Sequence, residues 1–216
     1  TNGLVHLTAM AGRLGIKIDL GEFDNLTKNL PMIVDLKPSG SGYMEDLYKA
    51  GGSQRIFYEL KDFLYLDAKS VNGTTLGEEI KNSAKWTQNI ITDKSNPVFN
   101  AGSIAVLKGT LAPNSAIIKQ SAATQSLLIH EGRAVVFEGL EDLANRIDRD
   151  DLDVTKDDVL VLKSIGPKGG PGMPEAGLIP IPKKLAKQGV KDMVRISDGR
   201  MSGTASGTII LHVTPE

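Results

Sequence analysis

The sequence predicts an α+β protein in which a helical α/β region is followed by a strand-rich region. Two observations support this class. Residues 3–14 place apolar side chains at helical spacing, whereas from about residue 98 the chain consists of short apolar runs separated by Gly, Pro and Asn. The composition changes near residue 70, so we expect a first region over 1–69 and a second over 70–216. Many short strands joined by Gly-rich turns are typical of a β-barrel or a sandwich.

The first region combines helical patterns with one clear strand pattern. Leu30–Leu36 is a compact apolar run typical of a buried strand, and Ile16–Leu20 alternates apolar and polar residues over a short length. Ser53 is a plausible N-cap for the last helix of the region. Helices are predicted over residues 3–14, 44–50 and 54–63.

The second region is predicted to contain six strands with helices between some of them. The helices are predicted over residues 74–85, 140–146 and 183–188. The strands are predicted over residues 103–109, 116–119, 132–138, 158–163, 192–196 and 208–213.

Composition excludes several classes of function. The 216 residues carry 25 Lys+Arg and 26 Asp+Glu, and this balance gives no general electrostatic reason to bind nucleic acid or an anionic membrane. No apolar run approaches the roughly 20 residues of a membrane-spanning helix, and no signal-peptide pattern is present, so a cytoplasmic protein is expected. The chain has no Cys, which excludes disulfides, thiolate nucleophiles and cysteine-held zinc or iron–sulfur centres within it.

The segment Gly166–Glu175 (GPKGGPGMPE) is the first candidate functional loop. Its glycines expose backbone N–H groups and admit a close ligand, as anion-binding loops do, although a structural turn between two strands would have the same composition. Glu175 at its end is a hard oxygen ligand of the kind that Mg²⁺ uses.

Val194–Gly207 (VRISDGRMSGTASG) is the second candidate loop. Arg side chains suit a carboxylate, hydroxyls suit sugar-like oxygens, and Ser202 lies between Met201 and Gly203 where its hydroxyl can be exposed. The alternative is a loop whose hydroxyls are satisfied internally.

Two further features are weaker. Asp35–Gly42 is a polar loop at the end of a predicted strand. The three histidines, His6, His130 and His212, are not paired at metal-ligand spacing and are interpreted as packing residues, although any of them could belong to a site.

These segments together resemble the dihydroxy-acid dehydratase / phosphogluconate dehydratase family, which also includes sugar-acid (aldonate) dehydratases. The resemblance covers the whole chain but corresponds only to the C-terminal part of such enzymes, and 177–185 favours the sugar-acid branch. The stretches that carry it are Thr1-Asn2 with the His6 helix, Asp35–Gly42, Gly166–Glu175, Val194–Thr204 and Leu211–Glu216.

The resemblance implies a reaction and roles for four residues. A 2,3-dihydroxy carboxylate loses its C2 proton and C3 hydroxyl and becomes a 2-keto-3-deoxy acid, with help from an iron–sulfur cluster and Mg²⁺. Glu175 matches the Mg²⁺ ligand, and Ser202 matches the base that removes the C2 proton. Thr204 is a substrate contact, and Arg200 contacts the substrate carboxylate or forms a structural ion pair.

The resemblance also implies a fold and an incomplete site. The C-terminal domain of the family is a β-barrel flanked by helices, similar to the swivelling domain of aconitase-like enzymes, and residues 1–69 would be a remnant of the cluster-binding domain. The cluster cysteines and other Mg²⁺ ligands would lie upstream, so we expect an inactive fragment whose partners are the rest of its own N-terminal domain, a small hydroxy acid and further subunits of a homo-oligomer. The alternative is a non-catalytic anion-binding or interaction domain.

Overall fold

The computed structural model of the protein describes residues 1–83, 88–203 and 205–216. It divides into two compact units. We call Thr1–Asn25 together with Ile104–Glu216 the sheet unit, and Leu26–Ser103 the helical unit. The domain boundary expected at residues 69/70 stays a prediction.

The sheet unit contains one open, mixed sheet of six strands. The strand order is β1-β2-β6-β5-β4-β3. Strands β3, β4, β5 and β6 run parallel, and β2 is antiparallel to both β1 and β6. The strands are β1 (Ala105–Leu107), β2 (Ser115–Ile118), β3 (Ala134–Phe137), β4 (Val159–Leu162), β5 (Arg195–Ser197) and β6 (Ile209–Thr214).

All six predicted strands are therefore confirmed, with shifted ends. The predicted mixture of helices and strands is also confirmed. Within the described residues β1 and β3 are the two edges of the sheet and do not pair with each other, so a closed barrel is not confirmed.

Seven α-helices accompany the strands in the described residues. The helices that connect parallel strands match their predictions closely, because Leu140–Arg146 lies between β3 and β4 and Lys183–Lys187 between β4 and β5. The helices are α1 (Asn2–Arg13), α2 (Leu20–Thr27), α3 (Met44–Lys49), α4 (Gly52–Glu59), α5 (Leu76–Ile80), α6 (Leu140–Arg146) and α7 (Lys183–Lys187).

The core of the sheet unit lies where α6 and α7 cover the parallel strands. Phe137 of β3 and Leu160 of β4 are fully buried and pack with Leu143 of α6 and Leu185 of α7. Burial of such side chains is the main favourable contribution to folding. The parallel strands and the loops that leave them therefore rest on a continuous apolar layer.

At four places in residues 1–85 the structure differs from the sequence pattern. The run Leu30–Leu36 is not a regular strand but makes isolated bridges, because its partners lie in separate segments of the chain. The Ile16–Leu20 alternation gives no strand, and α2 begins at its last residue. Helix α4 is capped by Gly51 in the left-handed conformation rather than by Ser53, and it ends before a short 3₁₀ turn at Lys61–Phe63.

The fourth correction concerns the helix expected over 74–85. Helix α5 covers only Leu76–Ile80 of that range, and residues 84–87 lie outside the described residues. Its start is set by a capping box in which Thr75 and Glu78 each accept the backbone N–H of the other. Among the described residues, no helix has both the length and the apolar character needed to cross a membrane.

Candidate active site

The two candidate loops leave neighbouring strands at the same edge of the sheet. Strand β4 leads into the 166–175 loop, and β5 leads into the 198–207 loop. The two strands are parallel and Leu162 pairs with Ser197, so both loops start side by side. The carboxyl edge of parallel strands is where proteins of this architecture build ligand sites.

The Gly-rich loop binds an anion that belongs to the chain itself. The backbone N–H groups of Lys168 and Gly169 each donate to the Glu216 carboxylate, at 2.6 Å. Gly169 is required sterically, because a Cβ there would stand 2.1 Å from the Ser164 carbonyl oxygen. Two of the N–H groups that could have bound an external anion therefore have an internal partner.

A second carboxylate holds the beginning of the same loop. Asp198, directly after β5, accepts the backbone N–H of Ser164 at 2.8 Å and of Ile165 at 3.0 Å. The loop that ends in Glu175 is thus tied to the residues that follow β5 and β6.

Glu175 lies where the two candidate loops meet. The Asn2 side-chain amide donates to its carboxylate, and the Arg200 guanidinium lies 3.8 Å away. Arg200 also donates to the Met173 carbonyl, and the Gly177 N–H donates to the Arg200 carbonyl at 2.6 Å. The structure therefore brings two of the predicted site residues, Glu175 and Arg200, into one cluster.

Glu175 fits one ligand of a magnesium site but not a whole site. Its side chain is 43% exposed, so a carboxylate oxygen is accessible to a cation. Across the described ranges, no group of three or more His, Asp or Glu side chains could hold a metal ion. The full sequence has no Cys, so an iron–sulfur cluster has no thiolate ligand in this chain.

Ser202 is exposed while its neighbours are anchored. Met201 is buried against Ile209 and Leu211 of β6. The Ala205 N–H donates to the Ser202 carbonyl at 3.1 Å. Ser202 is therefore presented at the surface by a backbone that is held on both sides, as a site residue needs to be.

Of the two remaining predicted site residues, Arg200 is described by the structure and Thr204 is not. Arg200 is only 18% exposed, and its guanidinium faces the Gly-rich loop, which favours the ion-pair alternative. Its contact with a substrate stays a prediction. Thr204 lies outside the described residues, so its predicted role also stays a prediction.

Three residues near the loops were not predicted as site residues. Asn2 binds Glu175, and the Lys119 ammonium donates to the Gly203 carbonyl at 3.0 Å. His212 has a left-handed backbone at φ 54°, and its ring Nε2 is buried without a hydrogen-bond partner in the described part of the chain. Burial, together with the positive charge of Arg200, lowers the His212 pKa to about 4, so the ring is neutral at pH 7.

A cavity of about 560 Å³ lies beside the loops and is mostly apolar. Leu4 of α1, Ile117 of β2, Met173 of the Gly-rich loop and His212 of β6 line parts of it. The volume lies in the range of small-molecule sites.

The Asp35–Gly42 loop of the helical unit is mainly bonded to itself. The Asp35 carboxylate accepts the N–H and the hydroxyl of Ser41, at 2.8 and 2.7 Å. A Cβ at Gly40 would stand 2.0 Å from the same carboxylate. These contacts give the Asp, Ser and Gly residues of the loop a structural role.

Two polar loops that meet at the carboxyl edge of parallel strands are a common arrangement of an enzyme site in mixed α/β proteins. Comparison with known protein families identifies the class of enzyme. Residues 1–79 match the family profile described as dihydroxy-acid/6-phosphogluconate dehydratase N-terminal, and residues 89–216 match the profile described as the C-terminal part. The chain belongs to the dihydroxy-acid/6-phosphogluconate dehydratase family, whose members are hydro-lyases.

Curated relatives include enzymes of both branches. The chain is 44% identical to an L-arabinonate dehydratase of Rhizobium leguminosarum bv. trifolii. It is 40% identical to a 6-deoxy-6-sulfo-D-gluconate dehydratase of Pseudomonas putida and 39% identical to a dihydroxy-acid dehydratase of Halothermothrix orenii. Each match covers all of this chain but only 38–39% of the relative's length.

Proposed function

We propose that this chain is the C-terminal part of a hydro-lyase that converts an aldonic sugar acid or other 2,3-dihydroxy acid to a 2-keto-3-deoxy acid. The observation that carries the proposal is the junction of the two loops, where Arg200 contacts both Met173 and Glu175 two residues before Ser202. The family match supports the reaction class. A non-catalytic anion-binding domain is not favoured, because the Gly-rich loop already holds Glu216.

Ser202 is the proposed base. It takes the C2 proton, the C–H electron pair forms the C2–C3 double bond, and hydroxide leaves C3; the resulting enol then tautomerises to the keto acid. A serine hydroxyl is a poor base unless it is ionised, so this role requires nearby positive charge or N–H donors. The proposed role of Thr204 is a contact with a substrate hydroxyl. Arg200 is proposed to place its positive charge beside the substrate carboxylate while its guanidinium stays on Met173 and near Glu175.

Glu175 is the proposed contribution of this chain to a Mg²⁺ site. Bound Mg²⁺ would act as a Lewis acid at the substrate carboxylate. Its other ligands, and the cysteines of an iron–sulfur cluster, would belong to the rest of a longer protein, in keeping with the 38–39% of the relatives' length that the chain covers.

The finer structural expectations also belong to this proposal. The sheet unit would form part of a barrel-like swivelling domain, with residues 1–69 as a remnant of the cluster-binding domain. A homo-oligomeric assembly in the cytoplasm is likewise proposed.

For the substrate we favour a sugar acid, because the relatives named for sugar acids include matches at 44 and 45% identity, against 38–40% for those named dihydroxy-acid dehydratase.

The test is turnover by the full-length protein that contains this chain, purified without oxygen and supplied with Mg²⁺. L-arabinonate and a branched 2,3-dihydroxy acid are the two substrates, and the keto acid is measured. We expect Ser202→Ala to lower kcat by about 1,000-fold, the usual scale of a lost general base.

The matched control is Ser126→Ala, which changes an exposed serine of the sheet unit outside both loops. It should retain wild-type turnover. Wild-type activity in Ser202→Ala would contradict the assignment of the base, and absence of dehydration of both acids by the wild-type protein would contradict the proposed function.

A further inference from the structure

Lys119 is a lysine at the end of β2 whose ammonium reaches the loop that carries Ser202. Its Nζ donates to the Gly203 carbonyl at 3.0 Å. The side chain is half-buried, and in the described part of the chain it forms no ion pair with a carboxylate. A half-buried ammonium without a counter-charge is unfavourable, and such groups are common at functional sites.

Two cationic side chains, Lys119 and Arg200, lie at the loop that carries Ser202. Burial lowers the pKa of Lys119. Burial also lowers the His212 pKa to about 4, so this ring adds no positive charge at pH 7. Glu175, bound by Asn2 and next to Arg200, is the carboxylate of this cluster. Arg200 therefore has a carboxylate nearby, whereas Lys119 brings to the loop of Ser202 a positive charge that has no carboxylate partner in the described residues.

The proposed reaction needs such a charge. The ionised hydroxyl of a serine is an anion, and a cation nearby favours the ionised form. A donor that holds the carbonyl of the following residue, Gly203, also limits the positions that the Ser202 hydroxyl can take. Lys119 provides both effects from one side chain.

We propose that Lys119 is a positioning residue for Ser202, which fixes the Gly203 carbonyl and stabilises the ionised Ser202 hydroxyl by its positive charge. The inference rests on the proposed function, because it assigns a partner to the proposed base. It goes beyond the motifs, since Lys119 lies 84 residues from Gly203 in the sequence.

Three substitutions separate the charge from the hydrogen bond. Lys119→Arg keeps both the charge and a donor, Lys119→Gln keeps a donor without the charge, and Lys119→Met keeps the length with neither. A purely structural role would be retained by the Gln variant, whereas the proposed role would not. Lys191→Met, at an exposed lysine outside both loops, is the control.

The first measurement is the pH profile of kcat in the full-length enzyme. We expect Lys119→Met and Lys119→Gln to lose about 100-fold in kcat at neutral pH, with activity that recovers toward alkaline pH as the serine ionises. Lys119→Arg should stay within about tenfold of the wild type and keep its profile. A wild-type profile in Lys119→Gln would overturn the proposal.

The second measurement needs no activity and uses the same full-length protein. The carbonyl ¹³C resonance of Gly203 should move in Lys119→Met and stay near its wild-type position in Lys119→Arg. An unmoved resonance in Lys119→Met would overturn the contact and the inference with it, even if the enzyme dehydrates sugar acids. If the contact is present but the wild-type enzyme dehydrates neither acid, the proposed function fails and Lys119 is reduced to a structural anchor.

Discussion

The two units of the molecule are stabilised in different ways. In the sheet unit, paired strands and a continuous apolar layer around Phe137 and Leu160 support the loops. In the helical unit, helices α3 to α5 have at most eight residues, strand contacts are isolated bridges, and the buried cluster centres on Ile33 and Ile91. The proposed catalytic residues all belong to the sheet unit, which indicates that a rigid sheet edge positions them.

The largest expected effect tests the difference between the two cores. Leu160→Ala removes a fully buried side chain of β4 and should cost about 2–5 kcal/mol of unfolding free energy. Its matched variant is Ile33→Ala in the helical unit, where 2% of the residue is exposed. Hydrogen exchange should show faster exchange of the strand amides in the first variant and of residues 26–103 in the second. Identical exchange patterns would contradict the division into two units.

The next effect concerns an ion pair inside the helical unit. Arg55 and Glu59 of α4 form a salt bridge at 2.7 Å with 11% and 7% of their side chains exposed. Glu59→Gln leaves a buried positive charge without its carboxylate and should cost about 3 kcal/mol in urea unfolding. The control is Glu45→Gln, which breaks the exposed Glu45–Lys49 pair of α3 and should leave the midpoint nearly unchanged. Equal shifts would show that burial does not govern these pairs.

A pH-dependent effect belongs to the sheet unit and develops only as the pH falls below 6.5. The folded-state pKa of His212 is about 4 against an ordinary value of 6.5, so the folded state binds the proton less well than the unfolded state. The corresponding stability is complete above pH 6.5 and is lost as the pH falls toward 4, to a total of about 3 kcal/mol.

His212→Asn removes this titration and suits the left-handed backbone, since Asn tolerates positive φ. Its unfolding free energy should fall less than that of the wild type between pH 6.5 and 4. His6→Asn, at an exposed position of α1, should keep the wild-type dependence. A wild-type slope in His212→Asn would contradict the burial of the ring.

The sequence predicted the sheet unit better than the helical unit for a physical reason. Each strand of the sheet is a short apolar run between turn residues, and this local pattern is sufficient to mark Val159–Leu162 or Ile209–Thr214. The run Leu30–Leu36 has the same pattern but no continuous partner, which only the folded chain reveals. Strand order, and with it the open form of the sheet, likewise depends on contacts far apart in the sequence.

The candidate site was predictable only in part. Glu175, Arg200 and Ser202 are carried by local motifs, and the structure brings the first two together. Asn2 belongs to a stretch that carries the family resemblance, but its contact with Glu175 spans 173 residues and could not be predicted. Lys119 is an ordinary lysine at the end of an apolar run. Contacts between residues so far apart in the sequence leave no local pattern from which they could be predicted.

The central claim is that this chain supplies the base of a hydro-lyase, and cleavage of the C2–H bond tests it most directly. The measurement is a single turnover of C2-deuterated and undeuterated L-arabinonate by the full-length wild-type protein and by Ser202→Ala, with deuterium release to water followed by NMR. Our account predicts deuterium release by the wild type and none above background by Ser202→Ala at equal Mg²⁺ content. Release at the wild-type rate by Ser202→Ala would contradict it.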